Sequence, residues 1–373
     1  MSDLVPFRHA SLDCDVTFGV AVEMRRAITD RCWWRLPTGK DNTIADVAGV
    51  SVGEVSIYDE ETVCTGVTAV LPHGGNLYRR PVPAGASVIN GFGKSMGLIQ
   101  LQELGEIESP ILLTNTFAVP VCTSALTKRA IERNPEIGRS GATVNPLVLE
   151  CNDGQVNDIQ AFAVCEKDAM RALDTASTTV RQGTVGAGSG MRTFGFAGGI
   201  GSASRIVELP GGSSFTLGVL VLSNFGQPSR LRVFGKHVPI EKGDLQEGRE
   251  PSEKGSIIVL MASDAPLDAR QLTRLSRRSG AALGSLGSCY GHGSGDIAVA
   301  FSTANVIERG TQDVHSTSRL CETRMDAFFN AAVEGTEEAI LNALWHAEPR
   351  VGYDGSVLPS FREAWHEASG GET

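Results

Sequence analysis

The stretch that decides the fold is GSIIVLMASDAPL, residues 255–267, in which a Gly-Ser pair opens an almost unbroken apolar run. The segment leading into it, residues 236–255, is KHVPIEKGDLQEGREPSEKG, which is charged, rich in Gly and Pro, and without an apolar face. We therefore expect a flexible surface connection followed abruptly by a buried strand that opens at Ser256. Self-cleavage needs this arrangement, because the bond to be cut must be reachable while the residue after it is held rigidly.

Around this stretch, strand-like apolar runs alternate with helical patterns, which predicts an α/β chain. Strands are predicted at 63–72, 111–115, 215–224, 256–263 and 296–303. Helices are predicted at 94–105, 124–134, 166–176, 268–286 and 322–344. The nearly continuous apolar character of the strands indicates sheets that are buried on one face or both.

Composition and charge argue against several kinds of partner, location and cofactor. The chain has 373 residues, a net charge of −10 and a pI near 5.3, which argues against nucleic acid or an anionic membrane as partner. We see no apolar run long enough to span a bilayer and no signal peptide. The eight cysteines are scattered, without C-x-x-C or metal-ligand spacing. We therefore expect reduced thiols, a cytoplasmic location, and neither a metal nor a cofactor.

A competing candidate nucleophile lies near the N-terminal third of the chain. Residues 93–97, GKSMG, satisfy the pattern G-x-S-x-G, with a strand-like SVIN before it and a predicted helix after it. Such a nucleophile elbow would make Ser95 the nucleophile of a single-chain serine hydrolase that is never processed. Short patterns of this kind arise often in a Gly-rich chain, so we keep Ser95 as the minor alternative.

The motifs, taken together, resemble the L-aminopeptidase/D-amidase–D-esterase family, which includes the β-peptidyl aminopeptidases. The resemblance runs from about residue 42 almost to the C-terminus, and residues 1–41 form an extension that contributes nothing to it. Its longest motifs are NTIADVAGVSVG (42–53), INGFGKSMGL (89–98), ECNDGQVNDI (150–159), GTVGAGSGMRTFGFAGGIGSASR (183–205) and GSGDIAVAFSTAN (293–305).

This resemblance implies an αββα sandwich, in which two central sheets are flanked by helices. It also implies a single domain over residues 42–373 that cleaves itself between Gly255 and Ser256. The products would be an α chain, 1–255, and a β chain, 256–373, that stay together and assemble into a homo-oligomer of αβ units. The implied substrate is a small peptide, amide or ester.

The resemblance also assigns roles to individual residues. Ser256 is the implied nucleophile, Ser294 and Asp296 are its helpers, and Asn224 fits an oxyanion hole. A new α-amine on Ser256 would serve as the base, since an α-amine has a pKa of roughly 7.7–8.0. Taken alone, each of these residues has an ordinary structural explanation: a Ser that opens a strand, a turn that feeds one, or an Asn that caps one.

Two further positions concern the substrate. Glu150 falls where the family places a carboxylate for the substrate's amino group, although an internal Arg or Lys partner is the alternative explanation of a buried carboxylate. Asn152 departs from the family, whose characterised members have Tyr there, and Asp296 stands where some members have Glu. The preferred acyl group therefore stays open among L-α, D-α, β and ω-amino residues.

Two other function classes compete with this one. A self-processing acetyltransferase of similar architecture would use Thr as nucleophile, and Ser256 argues against it. A non-catalytic binding protein would not need to keep competent residues at the catalytic positions. We also expect His292, in the loop before Ser294, to be incidental rather than a base.

Overall fold

The structure is a computed structural model that describes residues 34–59, 62–238, 254–310 and 313–368. Its strands are β1 (Ser51–Tyr58), β2 (Cys64–Leu71), β3 (Val82–Gly91), β4 (Glu106–Ile107), β5 (Ile111–Asn115), β6 (Leu147–Cys151), β7 (Arg192–Thr193), β8 (Phe196–Ala197), β9 (Gly199–Glu208), β10 (Ser214–Asn224), β11 (Arg232–Val233), β12 (Lys236–His237), β13 (Lys254–Ser263), β14 (Gly293–Ser302), β15 (Arg350–Val351) and β16 (Val357–Leu358). Its helices are α1 (Leu98–Leu104), α2 (Val119–Arg133), α3 (Glu166–Asp174), α4 (Ala269–Ser276), α5 (Ser279–Ser285), α6 (Met325–Trp345) and α7 (Phe361–Ala368).

Two large sheets organise these elements. One has four strands in the order β1-β2-β5-β6, and the other has six in the order β4-β3-β14-β13-β10-β9. The apolar run quoted at the outset becomes β13, which lies inside the larger sheet, antiparallel to β10 and parallel to β14. A central strand has partners on both sides, so its backbone is fixed by two hydrogen-bond ladders.

Three buried apolar clusters show the layer order. The middle cluster lies between the sheets and includes Leu149 of β6 and Ile258 of β13. A second cluster packs helices α2 and α3 on the outer face of the four-stranded sheet, and a third packs α4, α5 and α6 on the outer face of the six-stranded sheet. The observed layers are helix, sheet, sheet and helix, which confirms the αββα sandwich.

The predicted strands all form, with small changes at their ends. The helix predicted over 94–105 is wrong in its first turn, because α1 begins only at Leu98. Met96 instead pairs with Val148 of β6 through two backbone hydrogen bonds, of 2.8 and 3.1 Å. Gly97 has φ of +96°, a left-handed conformation that ends this extended stretch.

The helix predicted over 268–286 is two helices. Asp268 caps the first of them by accepting a hydrogen bond from the Gln271 amide at 2.7 Å. The break follows Ser276, whose hydroxyl bonds to the Thr273 carbonyl, while the Ser279 hydroxyl bonds to the Ser276 carbonyl. Serine hydroxyls that bond to nearby backbone in this way compete with the helix.

Residues just before position 42 also pack against the sandwich. Trp34 is buried in the cluster beneath α6, and the Leu36 amide bonds to Glu334 of that helix. Residues 1–33 and most of the predicted flexible connection, 239–253, lie outside the described residues.

Candidate active site

Ser256 lies near the start of β13 and is 3% exposed. Strand β13 includes both Gly255 and Ser256. Asn224, the last residue of β10, is the direct antiparallel partner of Ser256, and Gly295 of β14 is its parallel partner. The sheet therefore brings the candidate nucleophile and the candidate oxyanion donor together.

Gly255 is closely covered by the neighbouring strand. A Cβ atom there would lie 2.4 Å from the Asn224 carbonyl oxygen and 2.9 Å from the Phe225 Cα. Both atoms belong to backbone, which cannot move aside cheaply. The packing thus requires a glycine on the amino side of Ser256.

Ser294 and Asp296 contact each other, as their spacing on one strand predicts. The Ser294 hydroxyl donates to Asp296 Oδ1 at 2.6 Å, and both residues are fully buried. The strand register places Ser294 beside Gly255 and Asp296 beside Ile257. Because side chains alternate along strands, this pair lies on the opposite sheet face from the Ser256 side chain.

The Ser256 hydroxyl instead faces Cys151, the last residue of β6 in the other sheet. Burial raises the pKa of the Cys151 thiol well above its usual range, outweighing the opposite effect of its hydrogen bond with the Ser256 side chain. The thiol also lies 3.5 Å from the Leu222 carbonyl. Sequence analysis missed Cys151, because this contact joins two strands that are distant in the chain.

The side-chain amide of Asn224 is held at both ends. Its Oδ1 accepts the Arg192 backbone N–H at 2.9 Å, and its Nδ2 donates to the Asn152 carbonyl at 2.8 Å. These bonds fix which end of the amide is the donor. A side-chain amide has two N–H groups, so one remains to donate toward a substrate.

Glu150 is 4% exposed and is held by neutral donors. Its Oε1 accepts the Lys94 backbone N–H at 2.7 Å, and its Oε2 accepts the Thr116 hydroxyl. No Lys or Arg side chain of the described residues pairs with it, so the internal cation that we considered is not found. A buried carboxylate without a cation is suited to receive one.

The loop after β3 packs against both Glu150 and the strand β14 beside the candidate nucleophile. A Cβ atom at Gly295 would lie 2.8 Å from the Phe92 carbonyl oxygen, and one at Gly93 would lie 3.5 Å from Glu150 Oε1. The loop thus packs closely over both Gly295 and the carboxylate. His292 is exposed, and its ring lies 5.9 Å from that of Phe92.

Asn152 and Ser95 have other surroundings. The Asn152 side chain is exposed and accepts the Gly154 N–H at 2.9 Å, so only its backbone carbonyl touches Asn224. The Ser95 hydroxyl is buried and has no hydrogen-bond partner among the residues that the structure describes. A serine nucleophile needs an adjacent base, so this geometry does not support the elbow hypothesis.

Metal sites, membrane spans and disulfides are the remaining features that could bear on function. Within the described ranges, no cluster of His, Cys, Asp and Glu could hold a metal ion. Over the same residues, no helix is both long and apolar enough to cross a bilayer. The six cysteines that the structure describes form no disulfide.

Comparison with known proteins identifies the family. The model of peptidase family S58 matches residues 42–358. The β-peptidyl aminopeptidase BapA of Sphingosinicella microcystinivorans is 41% identical over 344 residues, which cover 86% of this chain and 85% of that protein. The PH0078 protein of Pyrococcus horikoshii OT3 is 44% identical, with a TM-score of 0.83 over 88% of this chain and 93% of the other.

A second solved structure is that of an enzyme with a stated activity. The L-aminopeptidase D-Ala-esterase/amidase of Ochrobactrum anthropi is 35% identical, with a TM-score of 0.82 over 90% of this chain and 95% of the other. That enzyme is a prototype of the serine aminopeptidases and has a variant of the Ntn hydrolase fold. With a match over most of its length in sequence and in fold, the chain belongs to peptidase family S58.

Proposed function

We propose that the chain cuts itself between Gly255 and Ser256 and then acts as an N-terminal serine aminopeptidase and amidase. The observation that carries this proposal is the position of Ser256. It is a buried serine near the start of a central strand, with an amide donor opposite it and a glycine before it whose Cβ would lie 2.4 Å from a backbone oxygen.

In the first step, Ser256 Oγ attacks the carbonyl carbon of Gly255. The peptide nitrogen takes up the proton that the hydroxyl loses and leaves as the α-amine of Ser256, and an ester joins Gly255 to Ser256 Oγ. Water then hydrolyses the ester, which releases the Gly255 carboxylate and restores the hydroxyl. Gly255 favours this step, because a residue without Cβ reaches strained backbone conformations more easily.

In each turnover, the new α-amine takes the proton from Ser256 Oγ as the hydroxyl attacks the substrate carbonyl. The oxyanion that forms would accept the remaining N–H of Asn224 Nδ2, a type of contact worth about 3 kcal/mol in other enzymes. Asp296, oriented by Ser294, would stabilise the ammonium. Collapse of the intermediate expels the leaving amine with that proton, and water then hydrolyses the acyl-enzyme.

The substrate would be a short peptide, amide or ester with a free amino end. Glu150 supports this, since it is a buried carboxylate whose donors among the described residues are neutral. A β-amino acyl residue is the second candidate, favoured by the 41% identity to a protein named β-peptidyl aminopeptidase. Association of αβ units and a cytoplasmic location stay predictions of the sequence.

Intact mass tests the proposal directly. We expect two chains, residues 1–255 and 256–373, in active enzyme. Ser256→Ala should stay uncut and inactive while it folds, whereas Ser95→Ala should be cut and active like the parent. Active protein of 39.5 kDa without fragments would refute self-processing. If acetylation of the substrate's amino group leaves kcat/KM unchanged, Glu150 does not bind that group.

A further inference from the structure

Asp153, which follows β6, is the start of a buried chain of polar side chains. Its Oδ2 accepts the Thr65 hydroxyl at 2.6 Å, and its Oδ1 accepts Asn157 Nδ2 at 3.1 Å. Thr65 Oγ1 in turn accepts Asn115 Nδ2 at 2.9 Å. All four residues are at most 4% exposed, so each of these bonds is shielded from water.

This chain of hydrogen-bonded side chains continues from Asn115 to Glu150. Asn115 Oδ1 accepts the Ala118 N–H at 2.9 Å and so caps the short 3₁₀ turn Thr116–Ala118. In that turn the Thr116 hydroxyl donates to Glu150 Oε2. The turn that Asn115 caps therefore carries one of the donors that hold the Glu150 carboxylate.

The direction of each bond in this chain is fixed from its Ala118 end. A backbone N–H can only donate, so the Oδ1 end of Asn115 faces Ala118 and its Nδ2 end faces Thr65. The amide Nδ2 can also only donate, so the Thr65 oxygen accepts from it and the Thr65 hydroxyl proton is left to donate to Asp153 Oδ2.

We propose that Asp153 is a positioning residue for Glu150, acting through Thr65 and Asn115 on the turn that carries Thr116. This inference depends on the proposed role of Glu150 in binding the substrate ammonium, and it extends that role to a buried residue that touches no substrate. Cleavage of the Gly255–Ser256 bond involves no substrate amine. The chain of hydrogen-bonded side chains that starts at Asp153 should therefore affect substrate binding and have no effect on self-cleavage.

Two variants at Thr65 test whether this chain of hydrogen-bonded side chains affects substrate binding. Thr65→Val keeps the shape and removes the hydroxyl, while Thr65→Ser keeps the hydroxyl and removes a methyl. For an amino-acid anilide with a free amine, we expect Thr65→Val to raise KM about tenfold, the effect of a lost bond near a charged group. Its kcat and self-cleavage should stay within about twofold of the parent. Thr65→Ser should match the parent.

The double variant Thr65→Val/Thr116→Val shows whether Thr65→Val raises KM by way of the Thr116 hydroxyl. If it does, Thr65→Val should add little to the KM of Thr116→Val, and additive effects would overturn the proposed route. If Thr65→Val does not fold, Asp153→Asn tests the same chain with the same readouts. Parental KM in a folded Thr65→Val or Asp153→Asn protein, or equal KM for Thr65→Val and Thr65→Ser, would overturn the inference.

The proposed function can fail separately from this inference. A parent enzyme that hydrolyses the anilide and its acetylated form equally well would remove Glu150 from substrate binding. A parent that prefers the free amine, combined with unchanged KM in the variants, would refute only the role of Asp153.

Discussion

A Cβ atom on Gly255 would lie 2.4 Å from the carbonyl oxygen of Asn224, the residue directly opposite Ser256. The same strand pairing that aligns the amide donor with the nucleophile therefore also excludes a side chain on its amino side. The fit around the Gly255–Ser256 bond is set by backbone atoms of β10 and β13.

Gly255→Ala should slow self-cleavage strongly, because the strand must shift away from Asn224 before the new methyl group fits. The appearance of the 256–373 chain, followed by intact mass after synthesis, measures the rate. Gly211→Ala is the matched control, since a Cβ there meets no atom within 4 Å. Equal cleavage rates in the two variants would show that the fit at Gly255 has no part in processing.

Variants at Cys151 test whether its thiol orients the Ser256 hydroxyl before cleavage. Cys151→Ser keeps a hydrogen-bonding side chain, whereas Cys151→Val keeps an apolar side chain that fills the space between the sheets. We expect self-cleavage to survive in the Cys151→Ser protein and to slow about tenfold in the Cys151→Val protein, the effect of losing one hydrogen bond. The opposite order would show that Cys151 only fills space.

Much of the fold was predictable, because the apolar runs of β2, β5, β10, β13 and β14 reveal buried strands. Strand β9 and the first half of β3 were missed because small residues take the place of large apolar ones. A Cβ at Gly201 of β9 would lie 1.8 Å from the Ala339 carbonyl oxygen, and one at Gly85 of β3 would lie 2.3 Å from the Thr273 nitrogen. Helices lie directly on these strands, and such close packing removes the apolar pattern that predicts a strand.

The candidate site also contains residues that the sequence predicts and residues that it does not. Ser256, Asn224 and Glu150 belong to recognisable local motifs, and the structure pairs Ser256 of β13 with Asn224 of β10. Cys151 and the chain from Asp153 to Thr116 could not be predicted, because their contacts join β2, β5, β6 and β13 across two sheets. Only the pairing of those strands reveals which polar side chains meet.

The pH dependence of turnover tests the α-amine of Ser256 as the base. Activity should rise with the deprotonation of that amine, giving a limb between about pH 6 and 9. A nearby Asp296 carboxylate favours the charged ammonium, so Asp296→Asn should move the limb to lower pH and reduce kcat. An unmoved limb with parental kcat would make Asp296 purely structural. Acylation of the new α-amine should abolish activity although Ser256 remains.

Asp153 should make the stability of the fold depend on pH. Burial raises the pKa of its carboxyl to about 7, against the opposing hydrogen bonds from Thr65 and Asn157. In the unfolded chain the same group has an ordinary pKa near 3.9. Between about pH 4 and 7 the folded state therefore binds more protons, and the free energy of unfolding should fall as pH rises through this window.

Asp153→Asn should remove this contribution, which is on the order of 1.4 kcal/mol for each unit of pKa shift. Urea unfolding is best measured in the uncut Ser256→Ala background, where each protein remains one chain and other titrating groups cancel in the comparison. The loss of stability from pH 4 to 7 should be smaller in the Asp153→Asn protein than in the protein that keeps Asp153. Equal losses in the two proteins would mean that Asp153 ionises as readily in the folded chain as in water, because its hydrogen bonds fully offset the cost of its burial.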